Sequence, residues 1–147
     1  MIKKNINLFL FFLIFSLFTH CTNGDKTISC FPNTSINVAL DLGLPSNQNL
    51  ASINGYVYVP AGPLSGTRGL IVINTSQGFV AYDRNAPHIC PSESSTLEVV
   101  DDFYILCPDD GAQWLFNGQP IGDKAAGRPP KSYPAQLIGN MVYINYN

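Results

Sequence analysis

The sequence is poor in basic residues, and this shortage limits the partners that the protein can have. Its 147 residues include eight Lys and Arg against ten Asp and Glu, for a formal net charge of −2. Lys3 and Lys4 lie at the extreme N-terminus, so residues 21–147 hold six basic against ten acidic residues, a formal charge of −4. Proteins that bind nucleic acid present a basic face to its phosphates. The sequence shows no such face, and we expect no nucleic-acid binding.

Histidine is also scarce, with His20 and His88 as the only two. Cleavage of an N-terminal signal segment would remove His20 and leave one imidazole for acid–base chemistry. A Cys–His pair formed by His88 with Cys90 or Cys107 would still lack a third group to orient the base, as activated nucleophiles require. The sequence therefore gives no argument for an enzyme.

Helical periodicity is missing after Phe18, where eleven prolines and twelve glycines interrupt most of the chain. Alternating, β-branched or aromatic segments instead predict strands at 36–42, 56–59, 69–74, 79–82, 97–100, 103–106, 137–138 and 141–144. Asp101-Asp102 and Gly139-Asn140 predict tight hairpin turns within the last two pairs of strands. We predict an all-β fold of short antiparallel strands. Composition alone leaves a sandwich and a small barrel equally open.

The N-terminus has the pattern of an export signal. Lys3 and Lys4 precede an apolar run, Leu8 to Phe18, that is too short to span a bilayer comfortably, and Cys21 follows it. This order resembles the lipobox of a bacterial lipoprotein, although His20 stands where that motif normally has Gly, Ala or Ser. We expect a signal peptide at residues 1–20 and lipidation of Cys21, which would anchor the protein at the periplasmic or surface face of a cell envelope. An uncleaved N-terminal anchor is the alternative.

The chain after the signal divides into a short spacer and one domain. Residues 21–33 are rich in Asn, Thr, Ser, Gly and Pro, which predicts a flexible tether. Residues 34–147 have the length of a single domain with one core.

Two short boxes carry the most specific signal in the chain, with residues 89–106 between them. Ala86-Pro87-His88 and Cys107-Pro108-Asp109-Asp110-Gly111 resemble the Cys-x-His and Cys-x-x-His ligand loops of Rieske [2Fe–2S] domains. The surroundings are similar too: an apolar strand before the first box, and Trp114, a Gly-Gln-Pro turn, a Pro-rich loop and a last hairpin after the second. The resemblance covers about residues 67–147. It implies a Rieske-like domain of small stacked sheets with both boxes at one tip.

Half of the ligands that this family uses are replaced. His88 and Cys107 occupy retained ligand positions, whereas Ala86 and Asp110 stand where a thiolate and an imidazole are expected. A methyl group cannot bind iron, and a carboxylate is a hard ligand where the cluster needs soft ones. We therefore expect a domain that has lost its cluster and serves as a non-catalytic binding or assembly module for an unknown envelope protein.

Two alternatives follow from the same boxes. The first is an electron-transfer protein with an atypical [2Fe–2S] cluster, which would act beside an oxidoreductase. The second is a single metal ion such as Zn²⁺, bound by His88, Cys90, Cys107 and Asp110, because zinc accepts nitrogen, sulfur and oxygen ligands together. That site would serve metal sensing or metal-dependent hydrolysis.

The number of cysteines available for disulfide pairing is odd. If Cys21 is acylated, Cys30, Cys90 and Cys107 remain in an oxidising compartment. Some Rieske domains carry a disulfide between their ligand loops, so a Cys90–Cys107 bridge is one expectation. It would hold the two loops together and use a retained ligand position. Cys30 would then be a free thiol or an intermolecular partner.

Overall fold

The structure, a computed structural model, describes residues 27–147. The predicted signal peptide and the lipidation of Cys21 lie outside the described residues. The described part contains a short 3₁₀ helix, Pro45–Ala51, and ten strands. The strands are β1 (Ile36–Asp41), β2 (Tyr56–Val59), β3 (Leu70–Thr75), β4 (Gly78–Asp83), β5 (Glu98–Val100), β6 (Tyr104–Leu106), β7 (Gln113–Leu115), β8 (Pro120–Ile121), β9 (Ser132–Ile138) and β10 (Met141–Tyr146). Among residues 27–147, no helix is long and apolar enough to cross a membrane.

The strands form two antiparallel sheets, which confirms the all-β prediction. The larger sheet has the order β1-β10-β9-β4-β3-β2, and the smaller has the order β5-β6-β7-β8. Strand β9 joins the halves of the larger sheet, because residues 132–134 pair with β4 and residues 135–138 pair with β10. Pro134 lies at this change of partner. A residue without an N–H is tolerated better there than within a continuous ladder.

Strand β3 separates two hydrophobic cores. Its residues Leu70 to Ile73 are all fully buried, as expected for a strand that is covered on both faces. One core lies on the face of Leu70 and Val72 and includes Ile36, Leu50, Val57, Val59, Tyr133, Val142 and Ile144. The other lies between Ile71, Ile73 and the smaller sheet, and it includes Tyr82, Ala86, Leu97, Ile105, Cys107, Trp114 and Phe116. Both boxes thus contribute a residue to the second core.

The predicted strands correspond to β1–β6, β9 and β10, with ends that differ by a few residues. The turn at Asp101 and Asp102 has φ values of 54° and 53°, the left-handed conformation that two-residue hairpins use. The residue pattern did not predict the 3₁₀ helix, β7 or β8. It also missed the first half of β9, which lies in the segment interpreted as a Pro-rich loop.

Candidate functional site

The fold brings the two boxes together. The first box follows β4, and the second joins β6 to β7. His88 Nε2 lies 2.7 Å from Asp110 Oδ2. One potential ligand atom from each of His88, Cys107 and Asp110 lies within 4.8 Å of the others. Three of the residues selected from the sequence therefore form one cluster, called here the tip cluster.

The second box forms a tight turn that orients the Asp110 side chain towards His88. The Gly111 N–H donates to the Cys107 carbonyl oxygen, and the Cys107 N–H donates to the Ala112 carbonyl oxygen, both at 2.8 Å. Gly111 has a φ of +75°, which glycine adopts without strain. Asp110 Oδ1 accepts the Ala112 N–H at 3.0 Å, and Lys124 Nζ donates to the Asp110 carbonyl oxygen at 2.7 Å. Asp110 thus closes the turn with one oxygen and contacts His88 with the other.

A buried polar network holds the backbone that leads into the first box. Asp83, at the end of β4, is fully buried. Its Oδ1 accepts the Asn85 N–H at 2.8 Å and Asn85 Nδ2 at 2.7 Å, and its Oδ2 accepts the Tyr133 hydroxyl at 2.7 Å. Burial and the negative charge of Asp83 raise the pKa of Tyr133 far above its usual value, so this hydroxyl stays a donor.

The tip cluster is buried on one side and open on the other. The His88 side chain is only 4% exposed, whereas that of Asp110 is 33% exposed. The His88 ring packs against the ring of Trp114, with 5.5 Å between centroids. Within the described part of the chain, His88 Nδ1 is buried and has no hydrogen-bond partner. Solvent therefore reaches the cluster past Asp110.

The pKa values of Cys107 and Asp110 are shifted in opposite directions. Burial raises the pKa of the Cys107 thiol to about 11, and its hydrogen bond to the Asp110 side chain acts in the same direction. Burial also favours the neutral form of Asp110, but hydrogen bonds from the Ala112 N–H and from His88 outweigh this effect and lower the pKa of Asp110. At neutral pH the cluster therefore combines a protonated thiol with an ionised carboxylate.

The disulfide differs from the expected one. Cys90 is bonded to Cys30, with 5.6 Å between their Cα atoms, and Cys107 is a free, buried cysteine. The predictions of a Cys90–Cys107 bridge and of an unpaired Cys30 were wrong. Cys107 is fully buried in the second core, whereas Cys90 is exposed and bonds to Cys30 of the N-terminal segment.

The described part of the predicted tether is attached to the domain. Besides the disulfide, the Ile28 N–H donates to the Pro87 carbonyl oxygen at 3.2 Å, inside the first box. Thr27, Phe31, Pro32 and Asn33 line a cavity of about 350 Å³ together with Lys131, Tyr133 and Tyr146. Residues 27–33 thus pack against the domain. Only residues 21–26 of the predicted tether lie outside the described residues.

The donors at the tip do not fit a [2Fe–2S] cluster of the Rieske type. That cluster needs two thiolates and two imidazoles. The first loop supplies no sulfur, because Ala86 has no donor atom and Cys90 is in a disulfide. The second loop supplies a carboxylate in place of an imidazole. One thiol, one imidazole and one carboxylate remain, a group that could hold a single metal ion.

No protein-family model and no curated protein matches the chain. Among solved structures, the chain is similar to the crystal structure of the quaternary ammonium Rieske monooxygenase CntA in complex with its substrate L-carnitine, with a TM-score of 0.53 and 16% sequence identity. The match covers 78% of this chain and 32% of that chain, so this chain spans about a third of the length of the monooxygenase. At this identity the likeness concerns the fold, and site chemistry is a separate matter. The fold of this protein is Rieske-like.

Proposed function

We propose that the protein is a cell-envelope lipoprotein whose Rieske-like domain has lost its iron–sulfur cluster and acts as a non-catalytic binding or assembly module. The donor set at the tip carries this proposal. A fully buried methyl group of Ala86 stands at one ligand position, and Asp110 stands at another. The envelope location is inferred from the sequence pattern of residues 1–21.

The surroundings of the two replaced positions support the loss of the cluster. Ala86 packs in the same apolar core as Trp114 and Cys107, where a methyl group is well accommodated. Asp110 already uses one oxygen for the Ala112 N–H and the other for His88. Both positions therefore have a structural role that needs no iron.

Other contacts hold the two loops together in place of a cluster. His88 and Asp110 connect the two loops directly, as two ligands of one cluster would. The Cys30–Cys90 disulfide joins residues 60 positions apart, and closing a loop of that length is worth about 4 kcal/mol in the chain-entropy description. The tip thus has its own means of staying folded without iron.

The reactive groups at the tip support a binding role over catalysis. Cys107 is fully buried and its pKa is raised, so it holds little of the thiolate that acts as a nucleophile. His88 Nε2 is hydrogen-bonded to Asp110, and in the described part of the chain no hydrogen bond joins the His88 ring to the Cys107 thiol. An adjacent base or a lowered pKa activates a cysteine as a nucleophile, and the pKa of Cys107 is raised.

The test is to express the full chain with its own signal and to measure visible absorption, iron and acid-labile sulfide in the purified protein. We expect a colourless protein with less than about a tenth of an equivalent of iron. The matched control is the double variant Ala86→Cys and Asp110→His, which restores the ligand pattern of the family and should acquire iron, sulfide and colour if the fold can still host them. Two irons and two sulfides per unaltered chain would overturn the proposal in favour of electron transfer.

The lipoprotein part is tested separately. Mass spectrometry should find acyl chains on Cys21, and Cys21→Ser should move the protein from the membrane fraction to the soluble fraction. An unacylated Cys21 behind an intact N-terminal segment would favour the uncleaved anchor instead.

A further inference from the structure

The tip cluster has more ligating capacity than the protein itself uses. Within residues 27–147, His88 Nδ1 is buried without a hydrogen-bond partner, in a side chain that is only 4% exposed. The Cys107 thiol donates to the Ser95 carbonyl oxygen over a long distance, with 4.0 Å between sulfur and oxygen. Among the described residues, Asp110 is the side chain that hydrogen-bonds the His88 ring, so an ion bound at Nε2 would displace that one contact.

We propose that His88, Cys107 and Asp110 bind one divalent metal ion of the zinc type. One imidazole nitrogen, the thiolate sulfur and one carboxylate oxygen are its protein ligands, and the fourth position is held by an exchangeable ligand. The inference deepens the proposed function and rests on it in one respect, since an iron–sulfur cluster would occupy the same tip. On this proposal, the module binds its partner through the metal ion.

The chemistry of the three donors selects this class of ion. Zinc is bound in proteins by thiolate, imidazole and carboxylate, and sites with three protein ligands keep their fourth position open. One thiolate and one carboxylate balance the two positive charges of the ion, and a neutral imidazole leaves that balance unchanged. A neutral complex is the one that a largely buried site accommodates at least cost. The thiol proton leaves to solvent when the sulfur binds the ion.

The distances at the tip are close to those of a tetrahedral site. With usual bond lengths, ligand atoms around zinc lie about 3.3 Å apart for nitrogen and oxygen and about 3.5 Å apart for pairs that include sulfur. Here His88 Nε2 and Asp110 Oδ2 are 2.7 Å apart, and no pair in the cluster exceeds 4.8 Å. Binding of the ion therefore requires the distance between His88 Nε2 and Asp110 Oδ2 to increase by about 0.6 Å, and Cys107 Sγ to move closer to both.

Asp110 is the residue that can make this adjustment. Its side chain is 33% exposed, whereas Trp114 packs on His88 and the core surrounds Cys107. The same exposure places the open coordination position on the solvent side. Cys90, the fourth ligand expected from the sequence, is excluded by its disulfide with Cys30. A water molecule or a donor group of a partner takes the position instead.

The test uses Co²⁺ as a spectroscopic probe and Zn²⁺ as a competitor. Protein freed of metal with a chelator, with its disulfide intact, is titrated with Co²⁺. We expect one equivalent to produce a thiolate-to-cobalt charge-transfer band in the near ultraviolet, and Zn²⁺ to bleach it. Cys107→Ser should abolish the band, and His88→Gln and Asp110→Asn should each weaken binding by at least about tenfold. Asp109→Asn, at the exposed neighbouring carboxylate, is the matched control and should leave the titration unchanged.

The variants must keep the fold for this comparison, which circular dichroism and the urea midpoint of each will establish. The double variant Cys30→Ser and Cys90→Ser should retain the band, because neither sulfur is a ligand. Cobalt binding without the charge-transfer band, or equal binding by Asp110→Asn and the unaltered protein, would overturn the inference. If the protein contains no iron or sulfide and does not bind cobalt, only this inference is wrong. If the native protein carries an iron–sulfur cluster, the proposed function is wrong as well.

Discussion

Cys30 and Cys90 are joined by a disulfide that ties the segment before β1 to the loop that carries His88. Cys90 lies two residues after His88, and the Ile28 N–H donates to Pro87 on the other side of that histidine. The first box is therefore held from outside the domain core by the N-terminal segment. This attachment links the chain that emerges from the predicted membrane anchor to the loop that faces Asp110.

Breaking this disulfide should destabilise the protein and free residues 27–33. We expect the double variant Cys30→Ser and Cys90→Ser to lose about 2–4 kcal/mol of unfolding free energy, because the unfolded chain regains the freedom of a long loop. Urea unfolding measures the loss. Limited proteolysis should cut near Phe31 in the variant and spare it in the oxidised protein, and an unchanged cleavage pattern would show that the segment is held by other contacts.

The Cys107 thiol should be unreactive in the folded protein. It is fully buried and its pKa is raised to about 11, so both access and the thiolate fraction are low at pH 8. Iodoacetamide should label it only after denaturation, as shown by peptide mapping. The single variant Cys30→Ser provides the comparison, because it exposes a thiol at Cys90 that should react rapidly. Fast labelling of Cys107 in the unaltered, folded protein would contradict its placement in the core.

The two oxygens of Asp110 have separable roles. Asp110→Asn keeps an acceptor for the Ala112 N–H but loses the charge opposite His88, and we expect it to cost about 1 kcal/mol. Asp110→Ala loses both contacts and should cost about 2–3 kcal/mol. Urea midpoints of the two variants measure the difference. Equal costs would show that the turn contact adds nothing to stability and that only the contact with His88 contributes.

The hydroxyl of Tyr133 should be essential to the network under the first box. Tyr133→Phe leaves the buried Asp83 Oδ2 without its donor, which we expect to cost about 1–3 kcal/mol. Tyr143→Phe removes a hydroxyl from a ring that is 36% exposed and is the matched control, with an expected change below about 0.5 kcal/mol. Thermal unfolding of both variants distinguishes them. Similar losses in the two would contradict a special role for Tyr133.

Alkaline pH should destabilise the protein through its buried tyrosines. Burial raises the pKa of Tyr82 from 10.0 to about 12, and its hydroxyl donates to the Phe116 carbonyl oxygen at 3.0 Å. The unfolded chain therefore releases this proton first, so stability is fully present below pH 10 and falls as the pH rises towards 12. Urea unfolding across this range should show a shallower fall for Tyr82→Phe than for the unaltered protein. An equally steep fall would mean that other groups control the alkaline transition.

Local patterns in the sequence were sufficient for most of the strands and for the two boxes, but not for the short strands β7 and β8. Alternation over 36–42 and the Asp101-Asp102 turn involve neighbours along the chain, so they could be recognised without the fold. The first half of β9 could not, because Tyr133 and Pro134 have no strand pattern and pair with β4 only through distant tertiary contacts. The 3₁₀ helix after Pro45 is likewise too short to have a detectable period.

The residue types alone set which donor atoms the tip can offer, because folding cannot change the side chains of Ala86 and Asp110. How those donors are used depends on tertiary packing. The direction of each side chain decided that Cys90 meets Cys30 on the outside while Cys107 turns into the core. Packing of the first loop against the second brought His88 within 2.7 Å of Asp110 and buried its other nitrogen, which has no hydrogen-bond partner among the described residues. Contacts between residues distant in sequence depend on the packing of whole sheets, and local residue patterns do not encode that geometry.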